Sequence, residues 1–165
     1  MIDAVSQAGG MQVIMVCDVD AEKTARAAEQ VTRRFGAAPA ATSDDRDVIE
    51  HPDVHAVIIA SPDHWHAVQC MGACAANKDV YVEAPLARYI NEAKAIVYAA
   101  RKYKRVVQVG MQHRSSSRFN ETAGIVRSGN LGRIAQTRSW GFARTEPVAA
   151  QPDQRPPQSL NYARW

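Results

Sequence analysis

No stretch of this sequence is apolar for anything near the 18 or so residues that a membrane-spanning helix needs, so a helical span is excluded. Glycine is scarce, 9 residues in 165, and the spacing G-x-G-x-x-G occurs nowhere. The one glycine pair, Gly9-Gly10, precedes a strand-like run. A phosphate-binding turn follows a strand and opens a helix, so this pair is not one. Three cysteines, Cys17, Cys70 and Cys74, give no disulfide framework. All three sit in apolar segments, as free buried thiols do, and a reducing compartment is the default expectation. An excess of one charge is also missing. The net charge of +3 is too mild to argue for nucleic acid. The densest basic run, Arg101 to Arg105, ends a predicted helix, where cations suit the negative end of the dipole. The first residues show no basic start leading into an apolar stretch, so no secretory signal is read there. A cytoplasmic location is the default, with an exported parent left open.

What is present is ordinary for a folded protein. Apolar residues make up 46% and charged residues 22%, and 165 residues fit one domain or one domain plus the start of another. The chain alternates strand and helix. Gln12 to Cys17 is a β-rich run, and Asp20 is placed to cap a helix from Ala21 to Phe35 that stops at Gly36. Asp44 to Glu50 reads as a short helix. Ala56 to Ala60 is continuously apolar, as in a strand buried on both faces. Asp63 is placed to cap a helix to about Ala76. Asp79 to Val82 is a strand, Ile90 to Tyr103 a helix with one apolar face, Val106 to Val109 a strand, and Ser117 to Ser128 a helix. Ile134 to Phe142 reads as a last strand. Beyond Thr145, Pro147, Pro152, Pro156 and Pro157 rule out a regular element, leaving a linker or a loop draped over a surface.

Strands separated by helices of 10–15 residues argue for a parallel sheet covered by helices, an α/β fold. Ligands of such sheets bind beyond the carboxyl ends of the strands. The residues in question are Asp18, Ser61 to His66, Glu83 to Pro85 and Gly110 to Arg114. An acidic residue at the position of Asp18 accepts hydrogen bonds from adenosine ribose hydroxyls in dinucleotide-binding folds and repels a 2′-phosphate, which favours NAD over NADP. The plain alternative is a strand-end aspartate beside the capping Asp20; a metal-binding DxD is a third, weakened because Asp20 serves as a cap. His64 and His66 form an HxH pair, with His113 the only other histidine in a strand-end loop. A metal needs three or four converging ligands, so no metal is expected. Cys70 and Cys74 lie on one helical face and read as packing.

Five motifs stand in order: VCDVD (Val16 to Asp20), AVIIASPDHWHA (Ala56 to Ala67), DVYVEAPLA (Asp79 to Ala87), VVQVGMQHRS (Val106 to Ser115) and SGNLGRI (Ser128 to Ile134). From about Gln12 to Phe142 the chain closely resembles the glucose–fructose oxidoreductase, inositol dehydrogenase and rhizopine-catabolism (Gfo/Idh/MocA) family. The resemblance implies a Rossmann-like, doubly wound parallel sheet followed by an α+β domain. It implies hydride transfer between a nicotinamide and a sugar or polyol hydroxyl; one branch of the family cleaves glycosides with NAD. Carried over by motif, the cofactor-binding residues are Asp18, Ser61, Pro62, Trp65, His66, Glu83, Pro85, Gln112 and Arg114.

Three departures follow from the same resemblance. The family's Glu-Lys-Pro is Glu83-Ala84-Pro85 here, and Ala84 cannot supply the cation that helps form the reacting alkoxide. Met1 falls where the family's first helix is under way, so the first strand and the glycine-rich loop are expected to be missing, leaving strand edges unpaired. The chain ends at Asn161-Tyr162-Ala163-Arg164-Trp165, near the entry to the second domain, which carries the remaining catalytic residues. Tyr89 also takes a cap position usually held by Thr. The expected organisation is therefore an incomplete NAD(P)-binding domain over residues 1–130 and the first strand of a truncated C-terminal domain with its Pro-rich tail over 131–165. The expected function is that of a nicotinamide-dependent oxidoreductase fragment, weakly active or inactive alone. The competing readings are a non-catalytic interaction module, oligomeric through its exposed strand edges, and a fragment of an NAD-dependent glycosidase. Expected partners are the dinucleotide and a sugar- or polyol-like small molecule, with no nucleic acid or membrane.

Overall fold

The computed structural model describes residues 2–141 and 152–165. The chain divides into two compact units, Met1–Gly110 with Pro156–Trp165, and Met111–Arg155.

The first unit alternates helix and strand: α1 (Ile2–Ala8), β1 (Met15–Cys17), α2 (Ala21–Phe35), β2 (Ala40–Thr42), α3 (Asp45–Glu50), β3 (Ala56–Ile59), α4 (Asp63–Ala75), β4 (Asp79–Glu83), α5 (Ile90–Tyr103) and β5 (Val107–Gly110). Local chemistry sets the helix ends. The Asp20 carboxylate accepts from Glu22 N at 3.0 Å, and Gly36, at φ 77°, donates its N–H to the Thr32 carbonyl. Asp44 caps α3 in the same way, on Arg46 N at 3.0 Å. Asp63 differs from expectation. Pro62 is the boundary residue, and Asp63 is the first helical residue, with no side-chain cap on α4. Its charge still suits the positive end of the helix dipole. At the start of α5 the Glu92 carboxylate accepts from the backbone N–H of Arg88 and Tyr89, both at 3.1 Å, which does the capping that Tyr89 itself does not. β2 has no counterpart in the sequence reading: Ala40-Ala41-Thr42 is too short and too small to show a strand pattern.

All strand pairs are parallel. β1 pairs β2 from Met15↔Ala40 to Cys17↔Thr42. β3 pairs β4 from Ala56↔Asp79 to Ile59↔Val82, and β4 pairs β5 from Val80↔Val107 to Glu83↔Gly110. The sheet is interrupted: β2–β1 form one hydrogen-bonded set and β3–β4–β5 another. Among the described residues β1 and β3 each pair on one side only, the unpaired edges that the sequence reading expected.

The core lies between β3–β4 and the helices α4 and α5, built from Ile59, Ala67, Cys70, Ala73, Cys74, Val80, Val82, Ile96 and Ala99. Cys70 and Cys74 are buried packing residues, as their spacing suggested. One expectation fails in this region. Ala56 to Ala60 reads as buried on both faces, yet Ile58 is 43% exposed and only Ile59 of β3 is buried. The face bearing Ala56 and Ile58 lies open beside the unpaired edge.

In the second unit a 3-10 turn (Gln112–Ser115) leads into α6 (Ser117–Arg127), none of whose residues is buried. The His113 and Phe119 rings sit 6.2 Å apart. The strand expected at Ile134 to Phe142 does not form over residues 134–141, which are irregular and exposed; Phe142 lies outside the described residues. A strand exists only when a neighbour takes its N–H and C=O groups, and none of the described strands pairs with this run.

Candidate functional site

The carboxyl ends of the parallel strands set the site. After β1, Asp18 is held from three sides: its N–H donates to the Thr42 carbonyl at 3.3 Å, its Oδ1 accepts from Asp20 N at 2.9 Å, and its carbonyl accepts from Thr24 Oγ1 at 3.0 Å. The half-buried carboxylate is therefore presented at a fixed place beside the N-terminus of α2.

After β3, Ser61 Oγ meets Gln69 Oε1 at 2.6 Å, and Gln69 Nε2 donates to Asp45 Oδ2 at 3.2 Å. His66 is 2% exposed. Its Nδ1 lies 2.7 Å from the Pro85 carbonyl and its Nε2 2.8 Å from the Ser61 carbonyl. Its ring ties the β3 loop to the β4 loop. Both partners are acceptors, so a neutral ring donates to one and the protonated ring to both. Trp65, half-buried, donates Nε1–H to the Trp165 carbonyl at 3.3 Å.

After β4, Ala84 and Pro85 are exposed and joined by a cis peptide bond. Glu83 closes the strand opposite Gly110. A Cβ on Gly110 would meet Glu83 Oε2 at 2.5 Å and the Tyr81 hydroxyl at 3.0 Å. The glycine thus gives the Glu83 carboxylate room to lie against the end of β5.

The structure brings Asp18, Ser61, Pro62, Trp65, His66, Glu83, Ala84 and Pro85 to one edge of the first unit. Gln112 and Arg114 belong to the second unit and are exposed in the 3-10 turn. Residues that sequence reasoning passed over stand at the same edge. Asp44 and Asp45 follow β2, and Arg164 bonds Asp44 at 2.8 Å and Asp45 at 3.5 Å. Arg164 and Arg46 hold the Asp44 carboxyl well below the usual carboxylate range. Burial, then the carboxylates of Asp45, Asp18 and Asp44, push the Cys17 thiol up to about 11, with Arg164 opposing them. The doublet Asp44-Asp45 after a turn was a visible signal; its partner 119 and 120 residues away was not.

Among the described residues no group of three or more His, Cys, Asp or Glu could hold a metal ion. His64 is exposed, 3.9 Å from its neighbour Asp63. Burial pushes the Cys70 thiol up to about 12, which fits a packed sulfur rather than a thiolate ligand. No helix of the described residues is long and apolar enough to cross a membrane.

A parallel sheet with an acidic residue after its first strand and helix-opening loops along one edge is a dinucleotide-binding architecture. The model of the oxidoreductase family with an NAD-binding Rossmann fold, Gfo/Idh/MocA, matches residues 1–111, and the chain belongs to that family. The chain is 36% identical over 136 residues to levoglucosan dehydrogenase of Pseudarthrobacter phenanthrenivorans, covering 79% of this chain and 35% of that one. It is 28% identical to inositol 2-dehydrogenase of Salmonella typhimurium, over 92% of this chain and 43% of the relative. The chain therefore spans less than half the length of either. Among solved structures, levoglucosan dehydrogenase in complex with NADH and levoglucosan aligns with a TM-score of 0.61 at 33% identity, over 73% of this chain and 31% of that one. A probable dehydrogenase from Thermotoga maritima shares the fold at a TM-score of 0.68 and 21% identity, over 79% of this chain and 38% of that one.

The residues present fit a dinucleotide unevenly. Asp18 suits the adenosine ribose, and the tied loops at Ser61 and Pro85 offer a preorganised wall. The glycines Gly9 and Gly10, both at φ 68°, stand before β1 rather than after a strand, so they do not form a pyrophosphate cradle.

Proposed function

We propose that this chain is the dinucleotide-binding part of an oxidoreductase that moves a hydride between NAD(H) and a sugar or polyol hydroxyl. The observation that carries the reading is Asp18, pinned at the end of β1 with its carboxylate toward the strand-end edge. Asp18 would accept from the ribose hydroxyls, and its charge favours NAD over NADP. Ser61, Pro62 and Trp65 would line the cofactor, and Glu83 and Pro85 would shape its nicotinamide end. His66, buried and engaged on both nitrogens, would hold the two loops in place rather than touch the ligand. When bound, the nicotinamide supplies the hydride acceptor. The substrate's hydroxyl proton needs a base and the nascent alkoxide a cation. Exposed Ala84 supplies neither, so turnover by this chain alone is weak or absent. That same alanine favours the second reading, a non-catalytic nucleotide-binding or interaction module.

The test is a thermal melt with and without NAD, beside Ala84→Lys. Ligand at about 100 times its dissociation constant adds about 2.7 kcal/mol, roughly 5–10 °C at this size. A cooperative transition that rises with NAD, in the wild type and in Ala84→Lys alike, supports the reading. A midpoint indifferent to NAD refutes it.

A further inference from the structure

The segment from Ser159 to Trp165 crosses the ends of three successive strands. It runs antiparallel to the loop that follows Asp18: Ala21 N donates to the Ser159 carbonyl and Asn161 N to the Val19 carbonyl, both at 2.9 Å, around an Asp20↔Leu160 bridge. Beyond β2, the Arg164 guanidinium grips Asp44 through two nitrogens at 2.8 Å and reaches Asp45 at 3.5 Å. Beyond β3, the Trp165 carbonyl accepts from Trp65 Nε1 at 3.3 Å. The Tyr162 and Trp165 rings stack at 6.5 Å with 11° between their planes. Backbone pairing therefore fixes the path of this segment alongside Val19–Ala21, the loop that follows the carboxylate assigned to the ribose.

The charge balance there is uneven. Asp18, Asp20, Asp44 and Asp45 face three cations, Lys23 beside Asp20 and Arg46 and Arg164 beside Asp44. The Arg46 side chain is 69% exposed and pairs with Asp44, whereas that of Arg164 is 32% exposed and reaches both Asp44 and Asp45. Removing Arg164 leaves four carboxylates against two exposed cations. A 2′-phosphate brings nearly two further negative charges to the ribose beside Asp18. With Arg164 held by Asp44 and Asp45, its guanidinium softens the local field but is not free to grip a phosphate bidentately.

We propose that Ser159–Trp165 lines the adenosine end of the dinucleotide site, and that Arg164, restrained by Asp44 and Asp45, is a specificity-determining residue for a 2′-phosphate. This rests on the dinucleotide-binding reading above.

The test uses the 165-residue chain and two probes that differ only in the 2′-phosphate, 5′-AMP and adenosine 2′,5′-bisphosphate, with dissociation constants read by calorimetry. Arg164→Gln should weaken the bisphosphate on the order of tenfold and 5′-AMP about twofold, the scale of one partly screened charge. Arg164→Lys should keep the wild-type ratio, because charge rather than fork geometry carries the effect. The double variant Asp44→Asn, Asp45→Asn should shift the ratio the other way, toward the bisphosphate. An unchanged ratio in Arg164→Gln, whatever the absolute loss, overturns the proposal and leaves the segment a structural tie. If the wild type binds neither nucleotide and its melt ignores NAD, both this proposal and the cofactor reading fall. If the melt rises with NAD and the ratio stays fixed, only this proposal falls.

Discussion

Replacing His66 by leucine keeps most of the side chain's volume and removes both of its ring nitrogens. The residue is 2% exposed, and its ring bridges the Ser61 and Pro85 carbonyls. A neutral ring donates to one of these, so leucine strips at least one part-buried carbonyl of its donor. A fully buried acceptor left without a partner costs about 1–3 kcal/mol, and water access brings this one to about 1 kcal/mol. At roughly 2–4 °C per kcal/mol for a chain this long, the melting midpoint should fall by about 2–4 °C. Two further variants divide the effect. An Asn amide nitrogen stands near the place of Nδ1 and can still reach the Pro85 carbonyl; a Gln amide nitrogen stands near Nε2 and can reach the Ser61 carbonyl. Each should lose less than leucine. Hydrogen exchange should rise at Ser61 in His66→Asn and around Leu86 in His66→Gln, and at both in His66→Leu. Thermal melts and peptide-resolved exchange supply both readouts. A His66→Leu protein that melts within 1 °C of wild type, with exchange unchanged in both loops, would refute the claim that this ring couples them.

The other predictions concern cysteines and acid. Cys17 belongs to an exposed residue, but its thiol is pushed up to about 11, so iodoacetamide at pH 8 should modify it far more slowly than a free thiol; buried Cys70, pushed up to about 12, and Cys74 should react only after urea unfolding. Mass spectrometry of timed samples checks this, and rapid labelling of Cys17 in the native protein would contradict it. The Asp44 carboxyl is depressed in the folded state, chiefly by Arg164 and Arg46. Its contribution is fully present above the ordinary carboxylate range and is lost as pH falls through the lowered folded value. Docking of Ser159–Trp165, followed by tryptophan fluorescence, should therefore persist below pH 4 and fail only in stronger acid. Loss of docking already near pH 5 would show that this ion pair is not what holds it.

Much of the first unit was legible in the sequence because its signals are local. Asp20, Asp44 and Gly36 mark helix ends through groups two to four residues away, and α5 shows its apolar face at helical spacing. The strand-end residues Asp18, Ser61 and Glu83 followed from the rule that parallel strands present their carboxyl ends on one edge. What failed was non-local. β2 exists because β1 gives it a partner, not because Ala40-Ala41-Thr42 prefers to be extended. Ile134 to Gly141 has strand-like residues and no partner among the described strands, so it stays irregular. The exposure of Ile58 depends on what lies beside β3. Arg164 has no local mark at all, since its partners are 119 and 120 residues away.

The interruption between β1 and β3 bears on how the unit unfolds. A continuous hydrogen-bonded sheet makes an α/β domain come apart in one step. Here the ladder stops, and among the described residues side chains and Ser159–Trp165 join the two halves: Gln69 on Asp45, Arg164 on Asp44, Trp65 on the Trp165 carbonyl. The β3–β4–β5 half holds the buried core and pairs strands that are neighbours in sequence. The β1–β2 half has Val31 and Thr24 of α2 as its buried residues. Native-state hydrogen exchange should resolve two cooperative units, with amides of β1 and β2 opening at lower free energy than those of β4. The acidic residue assigned to the ribose then stands on the less stable of two weakly coupled blocks, so a ligand spanning both would act as a mechanical link between them.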